Sequence, residues 1–183
     1  MATYIILAVV IVLVLWLIGV FNSLVRAHNR VKEAWSDISV QLKRRHDLIP
    51  NLVETVKGYV AHEAGVLEAV TKARTEAVTA GSMADKGQAE NMLTGALGKL
   101  FALSEAYPTL KANENFAKLQ DELSDTENKI QASRRFYNTN VMDFNTRIQV
   151  FPNNMIVSFL GFQKEEFFQL ESAHEAELPE VKF

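Results

Sequence analysis

The sequence predicts an all-α protein, an N-terminal transmembrane helix followed by a bundle of long antiparallel coiled-coil helices. Three observations predict it. No charged side chain occurs from Met1 to Val25. Beyond that stretch, apolar residues recur at alternating spacings of four and three, the signature of packed helices. The chain also holds only 8 Gly and 4 Pro, too few for the turns of an all-β domain. Residues 1–25 form the expected anchor and residues 26–183 the expected helical body.

The anchor comes first. The run from Tyr4 to Phe21 is apolar throughout; as a helix it extends about 27 Å, matching a hydrocarbon core of roughly 30 Å. Tyr4 at one end, and Trp16 and Phe21 toward the other, suit interfacial positions. A buried core helix seldom stays apolar on every face for so long. A cleaved signal peptide would want a basic leader and a small-x-small site, and Ile18-Gly19-Val20 offers none, so the segment is expected to remain on the mature chain. Arg26, Arg30 and Lys32 follow the helix directly, and the positive-inside rule puts the body in the cytoplasm.

The body opens with one sustained seam. Val31, Trp35, Ile38, Leu42, Arg45, Ile49, Leu52, Val56, Tyr59, Glu63, Val66, Val70, Ala73 and Ala77 alternate at four and three, all apolar but Arg45 and Glu63. Such a pattern predicts a coiled-coil helix. Pro50 falls inside it, but the phase is the same on both sides, which predicts a kinked helix rather than a loop. The expected helix continues to Thr79, near a Gly81 stop and a Ser82 cap, and extends roughly 75 Å from the bilayer. A shorter helix is expected from about Asp85 to Tyr107, with Met92, Ala96, Leu100 and Leu103 on one face and Pro108 closing it.

A second long helix is expected from near Asn113. Phe116, Leu123, Ile130, Tyr137, Phe144 and Phe151 place one large apolar side chain at every seventh position. Leu119, Thr126, Ser133 and Asn140 alternate with them, and polar residues there are expected to fix register and partner number. Pro152 ends the helix, Asn153–Gly161 reads as a short amphipathic helix, and Gly161–Phe183 as a tail with aromatic clusters at Phe162 and Phe167-Phe168. Short connections near 81–86 and 108–112 make successive helices antiparallel neighbours.

Charge is distributed unevenly. The formal net charge of −3 argues against nucleic-acid binding. Residues 26–46 carry Arg26, Arg30, Lys32, Lys43, Arg44 and Arg45 against Glu33 and Asp37, a balance of +4. Residues 164–183 carry Glu165, Glu166, Glu171, Glu175, Glu177 and Glu180 against Lys164 and Lys182, a balance of −4. Opposite ends of this kind could steer an antiparallel fold or a contact between subunits, or could be two independent solvated faces.

No catalytic constellation emerges. The chain has no cysteine, which excludes disulfides, thiolate metal sites and a cysteine nucleophile. His28, His46, His62 and His174 form no metal-ligand pair, and His62-Glu63 lacks the second histidine of a zincin. No glycine-rich phosphate loop or G-x-S-x-G setting occurs, and Asp121, Glu122, Asp125 and Glu127 have Lys118 and Lys129 as helical neighbours. No enzyme activity and no cofactor are expected. Two polar clusters remain. Lys43-Arg44-Arg45-His46-Asp47-Leu48-Ile49-Pro50-Asn51 puts Arg45 on the seam, where a charge must be paired; an ion pair with Glu122 or Glu127 is expected ahead of a partner-binding role. Glu127-Asn128-Lys129, Arg134-Arg135-Phe136-Tyr137-Asn138 and Phe144-Asn145-Thr146 suggest a buried polar network that sets register.

These same clusters carry a resemblance. Arg44-Arg45-His46-Asp47-Leu48-Ile49-Pro50-Asn51-Leu52-Val53-Glu54-Thr55-Val56-Lys57-Gly58-Tyr59 closely resembles the signature of the LemA family. So do Leu119-Gln120, Glu122-Leu123, Thr126-Glu127-Asn128-Lys129-Ile130, Arg134-Arg135-Phe136-Tyr137-Asn138, Phe144-Asn145, Phe151-Pro152, Gly161-Phe162, Phe167-Phe168 and Pro179-x-Val181-x-Phe183, in the same order. The resemblance covers the chain from about Phe21 onward. It implies a membrane segment followed by long bundled helices, with no catalytic residues attached to the motifs, in a bacterial inner (plasma) membrane. Some relatives look like lipoproteins with a lipidation cysteine near Gly19 or Val20, which leaves a periplasmic body as the alternative. Relatives in magnetosome-forming bacteria, and others encoded beside membrane proteases, imply membrane organisation or quality control.

The expected function is a self-associating, membrane-anchored scaffold, with the lipid bilayer, further copies of the chain and another membrane protein as partners. The alternative is an adaptor that presents partners or substrates to a membrane protease, with Phe167, Phe168 and the acidic tail as its docking strip.

Overall fold

A computed structural model describes residues 1–60 and 63–169. Five α-helices follow in order: α1 (Ala2–Lys57), α2 (Ala64–Thr79), α3 (Met83–Ser104), α4 (Pro108–Lys111) and α5 (Glu114–Gln149), with a 3-10 turn at Asn153–Met155. No strand occurs among the described residues. The chain is a bundle of helices beginning with a long apolar one. Among the described residues it divides into two compact units, Met1–Ile38 with Ser133–Phe167, and Ser39–Ala132 with residues 168–169. Helices α1 and α5 each contribute to both.

In the first unit, α1 starts as an uncovered apolar cylinder: its membrane-length window has none of its residues buried in the protein. Burial begins at Val20 to Leu24 and then follows one stripe, Leu24, Ala27, Val31, Ala34 and Ile38. Against it packs the α5 stripe of Tyr137, Val141, Phe144 and Ile148. The pairing is antiparallel. Trp35 meets Tyr137 edge-on with ring centroids 5.6 Å apart, His28 meets Phe144 at 5.3 Å, and Arg147 Nη1 donates to Ser23 Oγ at 3.0 Å. Trp35 is half-buried, and the adjacent Ala34 is the covered position, so the helices approach closely beside the indole.

In the second unit, a continuous core joins Ile49, Leu52 and Val56 of α1 to Val70 and Ala73 of α2, Leu93, Leu97 and Leu100 of α3, and Phe116 and Leu123 of α5. Ser82 caps α3 through a reciprocal box: Asp85 N donates to its hydroxyl at 3.0 Å, and Ser82 N donates to the Asp85 carboxylate. Asn113 caps α5 by accepting from Phe116 N at 2.9 Å, while its amide nitrogen donates to Tyr59 Oη at 2.7 Å.

Several expected boundaries move. The helix does run through Pro50, but it ends at Lys57, and α2 begins only at Ala64. Gly58, a poor helix former, follows that end. Across the break the buried positions shift by one, so that Val60 and Leu67 are covered and Tyr59, 40% exposed, and the half-buried Val66 are not. On α3 the buried face is Ala89, Glu90, Leu93, Leu97, Leu100 and Ser104, and Met92 points outward. Pro108 opens α4 at its first position, where the missing N–H costs nothing. Phe151 lies beyond the end of α5 and is exposed, and Asn153–Gly161 is a 3-10 turn followed by further turns rather than an amphipathic helix.

Candidate functional site

The densest polar chemistry lies in the second unit, around Arg45. The seam of α1 turns this side chain inward, leaving it 3% exposed. Its Nη1 stands 3.3 Å from Glu90 Oε2 and 3.1 Å from Glu127 Oε2, and its Nη2 donates to Thr94 Oγ1 at 2.7 Å. Glu90 is buried more deeply still, at 1% exposure. Its second oxygen lies 2.7 Å from His46 Nε2. Glu90 is therefore held from two sides by consecutive residues of α1.

Pro50 adds a fourth helix to the cluster. Proline has no N–H, so the carbonyl one turn back, that of His46, loses its helical donor. Arg74 of α2 supplies the replacement, its Nε donating to the His46 carbonyl at 2.7 Å. The interior proline is thus accommodated by a cation from a neighbouring helix, and the site ties α1, α2, α3 and α5 together. Beside it opens a cleft of about 370 Å³ whose walls include Leu97, Phe101, Leu123 and Asn128. Arg45 faces this cleft already engaged by two carboxylates and a hydroxyl, so it is not a free cation for an anion.

The first unit carries a second polar arrangement, in which α5 holds an extended segment. The Asn145 amide reads both backbone groups of Glu165: Glu165 N donates to Oδ1 at 2.9 Å and Nδ2 donates to the Glu165 carbonyl at 2.9 Å. Tyr137 Oη donates to the Glu166 carbonyl at 2.9 Å. Burial, with Glu165 and Glu166 adding negative charge nearby, pushes the Tyr137 phenol up to about 12. His28 Nδ1 lies 3.2 Å from Glu165 Oε1. Phe162 joins Phe21, His28 and Phe144 in an aromatic cluster with centroid distances of 6.1 Å to each.

The candidate residues of the sequence fall into separate groups. Arg45 and Glu127 meet, and Arg44 Nη2 stands 3.7 Å from Glu122 as a surface pair. Asp47, Pro50, Asn51 and Asn128 are exposed. Tyr137 is in the core of the first unit, Arg134 and Asn138 are half-buried and Arg135 is exposed. Asn140 donates to the Phe136 carbonyl and Thr126 to the Glu122 carbonyl, each one turn back on its own helix, so these bonds do not set a register with another helix. Phe167 is exposed, but Phe168 is fully buried and is a core residue rather than part of a docking strip. The tail from Leu170 to Phe183, with Glu171, Glu175, Glu177 and Glu180, and His62 and His174, lie outside the described residues. Among the described residues, no three His, Asp or Glu side chains gather as a metal site. Glu90, Thr94 and Arg74 were not anticipated; Glu90 sits on the Leu93–Leu97–Leu100 stripe, and a face drawn through those leucines would have found it.

Fold and site together define a membrane-associated helical protein, its polar cluster buried between helices and its first helix long and apolar enough to cross a bilayer. The LemA family model matches residues 34–183, and the chain belongs to the LemA family. It is similar to magnetosome protein MamQ 2 of Paramagnetospirillum magneticum, 26% identical over 175 residues, covering 81% of this chain and 64% of the relative. Magnetosome protein MamQ of Magnetospirillum gryphiswaldense is 24% identical over 174 residues, with coverages of 81% and 64%. Protein LemA of Metamycoplasma hominis is 29% identical over 156 residues, covering 83% of this chain and 70% of that one. This chain thus spans just under two thirds of the length of the magnetosome relatives.

Proposed function

We propose that this protein is a self-associating helical scaffold, anchored in the bacterial inner membrane by α1 with its body in the cytoplasm, that organises the membrane or envelope. The carrying observation is that the uncovered apolar run of α1 continues without a break into the helix that supplies Arg45 and the core of the bundle. The large apolar side chains Phe136 and Met142 of α5 are more than half exposed and offer surface that a further copy would cover. Relatives named as magnetosome proteins support a role in membrane organisation. Arg26, Arg30 and Lys32 on the flank of the apolar run support the cytoplasmic orientation.

The chain has no cysteine, so single cysteines report cleanly. Met142→Cys in native membranes should cross-link to a dimer with a short bismaleimide, while a cysteine at Ser36, exposed on α1, serves as comparison. No cross-link at Met142 would argue against association through this face.

A further inference from the structure

The turn region that follows α5 has no role in the bundle core, and its composition is unusual. From Ile148 to Gln163 there is no charged side chain. Within it Phe159 is 92% exposed, Phe151 77% and Met155 66%. Three large apolar side chains this uncovered, in one short uncharged stretch, form a patch that water does not favour.

The first unit says where this patch lies. Trp35 pairs with Tyr137, His28 with Phe144 and Ser23 with Arg147, so α5 descends along α1 toward the apolar run. Continuing that antiparallel register puts Phe151 level with Val20 and Phe21. The far end of the turn region is fixed at the same level, because Phe162 packs on Phe21 at 6.1 Å. Both ends of the stretch 150–161 are therefore held at the foot of the apolar run, where Val20 is the first partly covered residue. Arg26 and Arg30, both exposed, stand just beyond on α1.

We propose that the 150–161 turn region is a second membrane contact, a monotopic wedge whose Phe151, Met155 and Phe159 enter the boundary between headgroups and acyl chains beside α1. An uncharged, aromatic-bearing surface bordered by arginines is the chemistry of that boundary, and anionic headgroups complement Arg26 and Arg30. Two contacts fix the rotation and tilt of the first unit against the bilayer, which one helix alone would leave free. The inference rests on α1 being the anchor.

The test places a nitroxide on single cysteines in the full chain, reconstituted in vesicles of phosphatidylcholine and phosphatidylglycerol. Phe159→Cys and Met155→Cys report the wedge, Leu13→Cys the anchor and Ser36→Cys, exposed on α1, the aqueous face. Oxygen collisions should exceed those with a water-soluble nickel chelate several-fold at Leu13, Phe159 and Met155, and the order should reverse at Ser36. A deep Leu13 label with both wedge labels in water overturns the wedge and leaves the anchor standing. Wedge labels shielded from both reagents mean that protein covers the patch, which also overturns it. A Leu13 label in water removes the anchor, and the wedge with it.

Discussion

Arg74 donates from Nε to the backbone carbonyl of His46 at 2.7 Å, filling the place of the N–H that Pro50 lacks. A proline inside a helix costs roughly 3 kcal/mol, in part through that unsatisfied carbonyl. The charged donor offsets part of this cost and binds α2 to α1 at the same point.

The pairing makes a two-residue prediction. Arg74→Met should lose about 1–3 kcal/mol, the range for a charged donor to a part-buried carbonyl. In a Pro50→Ala background the backbone regains its own donor, and the same substitution should cost much less. Chemical denaturation of the four variants measures the coupling. Equal losses in both backgrounds would show that Arg74 does not act through that carbonyl.

The Arg45–Glu90 pair should be costly to break and cheaper to remove whole. Arg45→Leu alone strands Glu90 in the core, and breaking one side of a buried pair typically costs about 3–5 kcal/mol. Arg45→Leu with Glu90→Met should recover a large part of that loss. A double variant as unstable as the single one would mean that His46, Thr94 and Glu127 depend on the pair for their own placement.

How far this site was legible in the sequence differs residue by residue. Arg45 stands on the heptad seam, and a charge there must find a counter-charge, so Glu127 could be named as a partner. Glu90 could not, because the spacing of Met92, Ala96, Leu100 and Leu103 marks one face of α3 while the burial runs through Leu93; on a helix with weak amphipathicity one residue of rotation changes which carboxylate is inside. The break at Gly58 was hidden by a seam that resumes almost in phase after it. Arg74 depends on a contact between residues 28 apart in the chain, which no local pattern encodes. The apolar N-terminal helix was the most legible element, since its signal is an unbroken run rather than a periodicity.

Gly87 marks another long-range contact. A Cβ at this position would collide with the Gln169 backbone carbonyl oxygen. Gly87→Ala should therefore displace the 168–169 segment, expose Phe168 and lose about 1–3 kcal/mol, as overpacking does. Proteolysis near Phe168 should accelerate. An alanine variant with unchanged melting and cleavage would mean that this segment yields without cost.

Tyr137 gives the first unit a pH dependence. Its pKa rises from 10.0 to about 12 on folding, so between these values the folded state holds a proton that the unfolded state has released. Stability is then fully present below about pH 10 and falls as pH rises toward 12. Tyr137→Phe should remove this part of the alkaline loss, along with the hydrogen bond to the Glu166 carbonyl. Tyrosinate absorbance would contradict the assignment if all four tyrosines titrated together near 10 in the folded protein.

Self-association is the central claim, and native mass spectrometry of the full chain released from mild detergent tests it most directly. The scaffold reading predicts a defined species at an integer multiple of 20.6 kDa that persists on dilution. A single species at 20.6 kDa across the accessible concentrations would contradict it.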